Sequence, residues 1–466
     1  MEDNKYSVKQ AGSPDDEERR AARRKKRQRA RIMAFAVLFV FAAAIIGGFV
    51  ALGITIAGKF KPAAPAEVSI PTLGNELEEI QDVIEKILGP KEDAPEPESD
   101  DKANEGSEED YDAWIAAKID ELSLEDRVMG LFIVSPEQIT GVDAAIRAGD
   151  GTKEALEKYH VGGIVYDEKN IVSDDQFKEM MEKTKSYVAY ETFFILKEES
   201  GNTVLGDKLG LDETKTASEI GADMDPYTAY TENTKIALYL KDYGINCNFG
   251  LIGDVVFANE DAEASESIME SRSYGGDPTV VSRMILEAVN AYKETGVTVA
   301  VGYFPGQGNL DRDPGDSVTS TPITKEQLEA NQYPVYNAAV GAGANAIIVS
   351  HEYADELTTD NLPCSLSKEI YTDILRTELG YTDTILITDA LNKEAVSGYY
   401  TSGEACVKAL KAGADMVMCP EDIDEGINAV IEAVNSGVIS EERVKDSLKR
   451  IWKAKYRTVY EAEIND

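Results

Sequence analysis

Positive charge is scarce in this chain of 466 residues, with 47 Lys and Arg against 86 Asp and Glu and a net charge of -39. Outside the first residues no basic stretch gathers to neutralise phosphates, which argues against nucleic acid as a partner. Histidine is scarcer still, at two. The four cysteines, Cys247, Cys364, Cys406 and Cys419, are scattered and form no CxxC pair. A disulfide framework and a structural zinc site are thereby excluded. Cys247 and Cys419 fall inside apolar runs and read as buried free thiols. Neither GxGxxG nor a P-loop is present, so nothing marks a nucleotide site. No ligand spacing singles out a metal, and the acid-rich surface reads as solvation. No metal or cofactor is expected.

One stretch lacks charge altogether. Nine Lys and Arg lie between Arg19 and Arg31, and the 26 residues from Ile32 to Ala57 then carry none. The run exceeds the roughly 20 residues that cross a bilayer and is longer than a signal-peptide core of about 7 to 15. It reads as a single transmembrane helix over residues 32–58, with a cleaved signal peptide as the alternative. The basic flank, residues 1–31, should stay cytoplasmic, placing the remainder outside the cell membrane. Residues 59–110 are rich in Pro, Glu, Asp, Ala and Ser and read as a self-repelling stalk. Within it Leu73, Leu77, Ile80, Ile84 and Ile87 follow 4-3-4-3 spacing up to Gly89-Pro90. A short amphipathic helix over residues 73–88 is expected there, long enough for a weak dimer at most.

From Tyr111 onward short apolar runs alternate with segments of helical period. Eight runs read as strands: Gly130–Val134, Gly162–Tyr166, Phe193–Lys197, Asn246–Phe249, Thr298–Tyr303, Ala346–Ser350, Thr384–Thr388 and Met416–Cys419. Helices are expected between them, among them Asp175–Tyr190, Thr234–Tyr243, Pro278–Lys293, Lys325–Val340 and Ser367–Leu379, with glycines such as Gly244, Gly341 and Gly380 placed to cap them. A last helix spans Ser440–Lys455. Eight strands in βα alternation over residues 111–466 predict an α/β fold, a (β/α)8 barrel of TIM type with insertions. An open doubly wound sheet is the alternative.

The seventh run delivers an acid. Ile385-Leu386-Ile387-Thr388 leads directly into Asp389, and in a parallel barrel the C-terminal strand ends face the active site. Asp389 reads either as a catalytic carboxylate at the mouth or as a helix N-cap.

Seven stretches in order resemble glycoside hydrolase family 3, in its single-domain β-N-acetylhexosaminidase form. They are Leu122-Ser123-Leu124-Glu125-Asp126-Arg127-Val128, Val161-Gly162-Gly163-Ile164, Gly244-Ile245-Asn246 with Asp254, Arg272-Ser273-Tyr274-Gly275-Gly276-Asp277-Pro278, Phe304-Pro305-Gly306-Gln307-Gly308, Ser350-His351 and Thr388-Asp389-Ala390-Leu391. The likeness covers roughly Leu122 to Val459. It implies retaining hydrolysis, in which a carboxylate forms a glycosyl-enzyme and an acid/base first protonates the leaving oxygen and then activates water. Asp389 matches the nucleophile. The resemblance places an Asp-x-His dyad on the loop after the fifth strand, where Asp313 matches the acid but Gly315 stands in the histidine's position.

Other positions depart as well. Lys197-Glu198-Glu199-Ser200-Gly201 puts lysine where the pattern has aspartate, Leu205 replaces an arginine, and Gly302-Tyr303 replaces a Lys-His pair. Of the matched sugar-binding positions Arg272 is retained. Asp254 is carried over as a further contact, Tyr303 and Tyr274 as stacking aromatics, and His351 as a substitute acid/base. Glu198 and Glu199 read as a salt-bridged strand end. The expectation is a membrane-anchored hydrolase of cell-envelope amino-sugar glycans with a weakened or replaced acid/base. Its alternative is an inactive barrel that binds envelope glycan or serves as a scaffold.

Overall fold

Eight short parallel strands, apolar on both faces, need helices against both, and closing on themselves inside a ring of helices meets that need. The computed structural model, which describes residues 107–256 and 267–465, does this. Strands β1 (Phe132–Val134), β2 (Gly163–Val165), β3 (Phe193–Leu196), β4 (Cys247–Ile252), β5 (Thr298–Phe304), β6 (Ala346–Val349), β7 (Ile385–Ala390) and β8 (Met416–Met418) pair in parallel and in sequence order, β8 closing on β1. All eight expected strands are present, and the doubly wound alternative is excluded. The tail 1–31, the apolar run 32–58, the helix 73–88 and the stalk up to residue 106 lie outside the described residues. Among the described residues no helix is long and apolar enough to cross a membrane.

The helices follow local chemistry more closely than the sequence reading did. Ser107 caps Glu108–Asp120 through a capping box with Asp110, so helical structure begins three residues before Tyr111. Asp225 and Pro226 start a helix at Pro226–Asp242, well ahead of Thr234, because proline at the first position suits a helix start. The expected helix Lys325–Val340 divides into Lys325–Gln327, a wider π-type turn at Leu328–Gln332, and Tyr333–Ala342. Its cap is Gly343, at φ 108°, rather than Gly341. Gly250 lets β4 run on to Ile252, because a Cβ there would meet Glu198 O at 2.2 Å. All four cysteines are free and buried.

One buried carboxylate sets the start of β7. Asp415 lies just ahead of β8, fully buried. Its Oδ2 accepts the Leu386 backbone N–H at 2.9 Å and a guanidinium N–H of Arg376. Its Oδ1 accepts Ser447 at 2.7 Å and Arg450 at 3.0 Å, with Arg443 at 3.5 Å. The strand carrying Asp389 is thus tied to the last long helix, Glu441–Lys455.

Candidate active site

The ends of all eight strands line one cavity of about 370 Å³ at the C-terminal mouth, Lys197 after β3, Tyr303 on β5 and Asp389 on β7 among them. β7 runs through Asp389 to Ala390, and the next helix, Glu394–Ser397, has Lys393 at its N-cap. Asp389 is therefore not a helix cap. Its Oδ1 accepts the Ala390 N–H at 2.8 Å, which fixes the carboxylate at the cavity wall.

Beside it lies a pair that the sequence only half disclosed. Asp313 lines the same cavity, and its Oδ1 accepts the Gly315 N–H at 2.7 Å. Its Oδ2 stands 3.3 Å from the Lys393 ammonium, which is also 3.7 Å from Asp316. A Cβ at Gly315 would come within 3.0 Å of both Asp313 Oδ1 and Lys393 Cδ, so the lysine stem fills space that a side chain at 315 would need. Burial works against charge on Lys393, but Asp313 and Asp389 outweigh it and hold the ammonium above lysine's usual range. Burial likewise pushes Asp313 up, while the Gly315 N–H and Lys393 hold its carboxyl below the usual value. Charge of each sign thus stabilises the other.

His351 is not at the mouth. It is fully buried, with Nδ1 2.7 Å from Ser365 Oγ and Nε2 2.9 Å from Ala390 O. Both ring nitrogens are engaged and the ring does not line the cavity, so its place is behind Asp389, bracing the backbone of Ala390. The other histidine, His160, is bonded to Asp126 at 2.6 Å. Tyr274 is also buried away from the cavity, its hydroxyl accepting from Asn233 at 3.1 Å, so it offers no stacking face. Asp254 is fully buried behind the wall as well. The structure thus places these three carried-over residues outside the lining of the cavity.

Arg272 and Tyr303 do reach it. Arg272 makes two 2.7 Å bonds to Glu199, and Lys197 lies 3.3 Å from the same carboxylate and 5.1 Å from the Tyr303 ring centre. Glu199 thus belongs to the salt-bridged strand end read from the sequence; Glu198 does not. Glu198 is buried, its Oε1 accepting the Leu205 N–H at 2.8 Å, and burial raises its carboxyl from 4.5 to about 8. The folded chain therefore keeps a proton there that the unfolded chain releases, and stability should fall as pH rises from about 4.5 to 8. Glu198→Gln is expected to flatten that part of the Tm profile against pH.

Two further features were missed. Glu137 and Lys169 line the cavity from the short helical turns Pro136–Thr140 and Glu168–Asn170 that follow β1 and β2, 3.4 Å apart. Asn170 donates to Glu137 at 2.6 Å. Neither carries a local motif. Lys393 follows Asp389 by four residues, close enough that the acid itself was the available signal. Among the described residues no three His, Cys, Asp or Glu side chains converge as metal ligands.

The arrangement matches known proteins. The chain is 26% identical over 227 residues to the β-N-acetylglucosaminidase/β-glucosidase of Cellulomonas fimi, covering 47% of this chain and 39% of that one. To β-hexosaminidase A of Pseudoalteromonas piscicida it is 22% identical over 331 residues, covering 65% and 54%. The structure of a glycoside hydrolase family 3 β-N-acetylglucosaminidase from Paenibacillus superposes with TM-score 0.65 at 28% identity, covering 72% of this chain and 63% of that one. This chain thus spans less than two thirds of the length of each of these proteins. The profile described as glycosyl hydrolase family 3 N terminal domain matches residues 118–454, which takes in all eight strands, the cavity and Asp389, and by that match the chain belongs to glycosyl hydrolase family 3.

Proposed function

We propose that this protein is a retaining glycoside hydrolase of β-N-acetylhexosaminidase type in which Lys393, held by Asp313, takes the place of the absent dyad histidine. The observation that carries this reading is that Asp389 and the Lys393–Asp313 pair line one cavity. Asp389 attacks the anomeric carbon as the bond to the leaving oxygen breaks, and the Lys393 ammonium gives that oxygen a proton. The amine left behind must then take a proton from the attacking water. With its affinity for protons raised by two carboxylates, it is reprotonated from solvent first, so the second step is slow. A glycosyl-enzyme should accumulate. The substrates on this reading are amino-sugar glycans of the cell envelope, reached from a membrane anchor at residues 32–58.

Lys393→Met tests the assignment. Loss of a general acid is expected to slow glycosides with poor leaving groups by about 10²- to 10⁴-fold, while activated N-acetylglucosaminides, whose leaving group needs no proton, change little in the burst phase. Equal losses on both would remove Lys393 from the acid role. The second reading, an inactive barrel that binds or scaffolds envelope glycan, draws on Arg272 and Lys197, both committed to Glu199 instead of standing free for sugar hydroxyls. Saturable glycan binding with no burst and no adduct on Asp389 would favour it.

A further inference from the structure

Gln307 lines the cavity from the turn after β5, and its backbone is clamped on both sides. Gly306 stands at φ 129°, where a Cβ would come within 2.4 Å of Gln332 Nε2, and a Cβ at Gly308 would meet Val255 O at 1.9 Å. Neither position has room for a side chain. Between them the Gln307 N–H donates to Asp254 Oδ2 at 3.2 Å, and the Gln307 carbonyl accepts the Leu310 N–H at 3.0 Å. Both backbone groups of Gln307 are thus bonded.

Its side chain is held as firmly. Ser350 follows β6, and its N–H is bonded to Phe304 O at 3.0 Å, which sets its hydroxyl beside the turn that carries Gln307. The Gln307 amide donates from Nε2 to Ser350 Oγ at 2.6 Å, and Ser350 Oγ donates to Glu352 Oε2. Ser350 and Glu352 are both fully buried. A hydroxyl has one proton to give. Ser350 gives it to Glu352, whose Oε2 can accept whether or not Oε1 is protonated, so toward Gln307 the serine can only accept. The amide must therefore present its nitrogen to Ser350 and turn its oxygen away. That oxygen has no protein partner among the described residues, and it is not one of the sealed polar atoms left without a partner. It is left to the cavity.

We propose that Gln307 is a specificity-determining residue of this cavity: its amide oxygen takes a hydrogen bond from an N–H or O–H of the bound amino sugar, and Ser350 and Glu352 are positioning residues that hold the amide this way round. The inference rests on the hydrolase reading of the same cavity. Arg272 and Lys197 are committed to Glu199 there, whereas Gln307 offers an acceptor that no protein group uses. A fixed acceptor favours a ligand that brings a donor and penalises one that brings an ether or a methylene, because the oxygen then loses water and gains nothing. The relay gives the buried Glu352 a purpose. Without an acceptor behind it, Ser350 would be free to donate to Gln307 and turn the amide N–H groups toward the ligand.

The test is a double-mutant cycle on binding, with turnover assayed separately. The purified full chain in detergent is titrated calorimetrically with N-acetylglucosamine as wild type, Gln307→Leu, Ser350→Ala and the double variant, Tm being recorded for each. Gln307→Leu is expected to weaken binding by about tenfold, and Ser350→Ala by a similar factor. In the Gln307→Leu background Ser350→Ala should cost no further affinity, since the serine then has no amide to hold; a merely structural serine would lower affinity again. Gln307→Met, equal in length, replaces Gln307→Leu if that variant does not fold. Additive losses overturn the relay, and wild-type affinity in Gln307→Leu overturns the whole proposal. So does a wild type that binds no N-acetylglucosamine. Turnover by the wild type alongside unchanged binding by Gln307→Leu leaves the hydrolase reading standing without this one, and the expected cycle without any turnover does the reverse.

Discussion

Asp389→Asn is expected to lower kcat/KM for activated N-acetylglucosaminides by about 10⁴-fold or more and to abolish the glycosyl-enzyme adduct. The amide keeps the volume of the carboxylate but has neither its charge nor its nucleophilicity, so the first bond cannot form at the anomeric carbon. Position makes the effect local: Val349 pairs with Thr388 and Ala346 with Ile385, so β7 holds residue 389 at the wall whichever side chain it bears. Asp389→Gly in azide is expected to regain turnover, giving a glycosyl azide of inverted configuration, because the small anion enters where the carboxylate stood. Turnover undiminished in Asp389→Asn would move the nucleophile to another carboxylate of the cavity, Glu137 and Asp167 being the two that remain besides Asp313.

The second large effect is on stability. Asp415→Ala is expected to destabilise the barrel by about 3 to 5 kcal/mol, since it leaves Arg376, Arg443 and Arg450 facing one another with their shared counter-ion gone. Burial already lowers the proton affinity of Arg376 and Arg443, and Asp415 offsets that penalty. The Leu386 N–H also loses its acceptor at the start of β7. A fall in Tm should therefore come with a fall in kcat, because the displaced strand is the one that presents Asp389. An unchanged Tm would mean that water replaces the carboxylate at no cost.

Periodicity was enough to find every strand, because a strand covered on both faces must be a continuous apolar run whatever it pairs with. The same logic located Asp389, which needs only to follow such a run. Asp254, His351 and Tyr274 came from the family resemblance instead, and the structure sets them outside the cavity lining, bonded to Gln307, to Ser365 and Ala390, and to Asn233. Nearness to Asp389 was the one local signal for Lys393, but its ion pair with Asp313 joins residues 80 apart in sequence, and no local pattern announces such a partner.

The sequence alone determined the family, the barrel and the place of Asp389 at the end of the seventh strand, all of which rest on local patterning and on motifs contiguous in the chain. Which charges meet was decided only by tertiary structure. Closure of the barrel brings eight strand ends to one mouth, where the space left by Gly315 admits the Lys393 stem and where burial, not residue type, determines which acids face a ligand and which are sealed behind the wall.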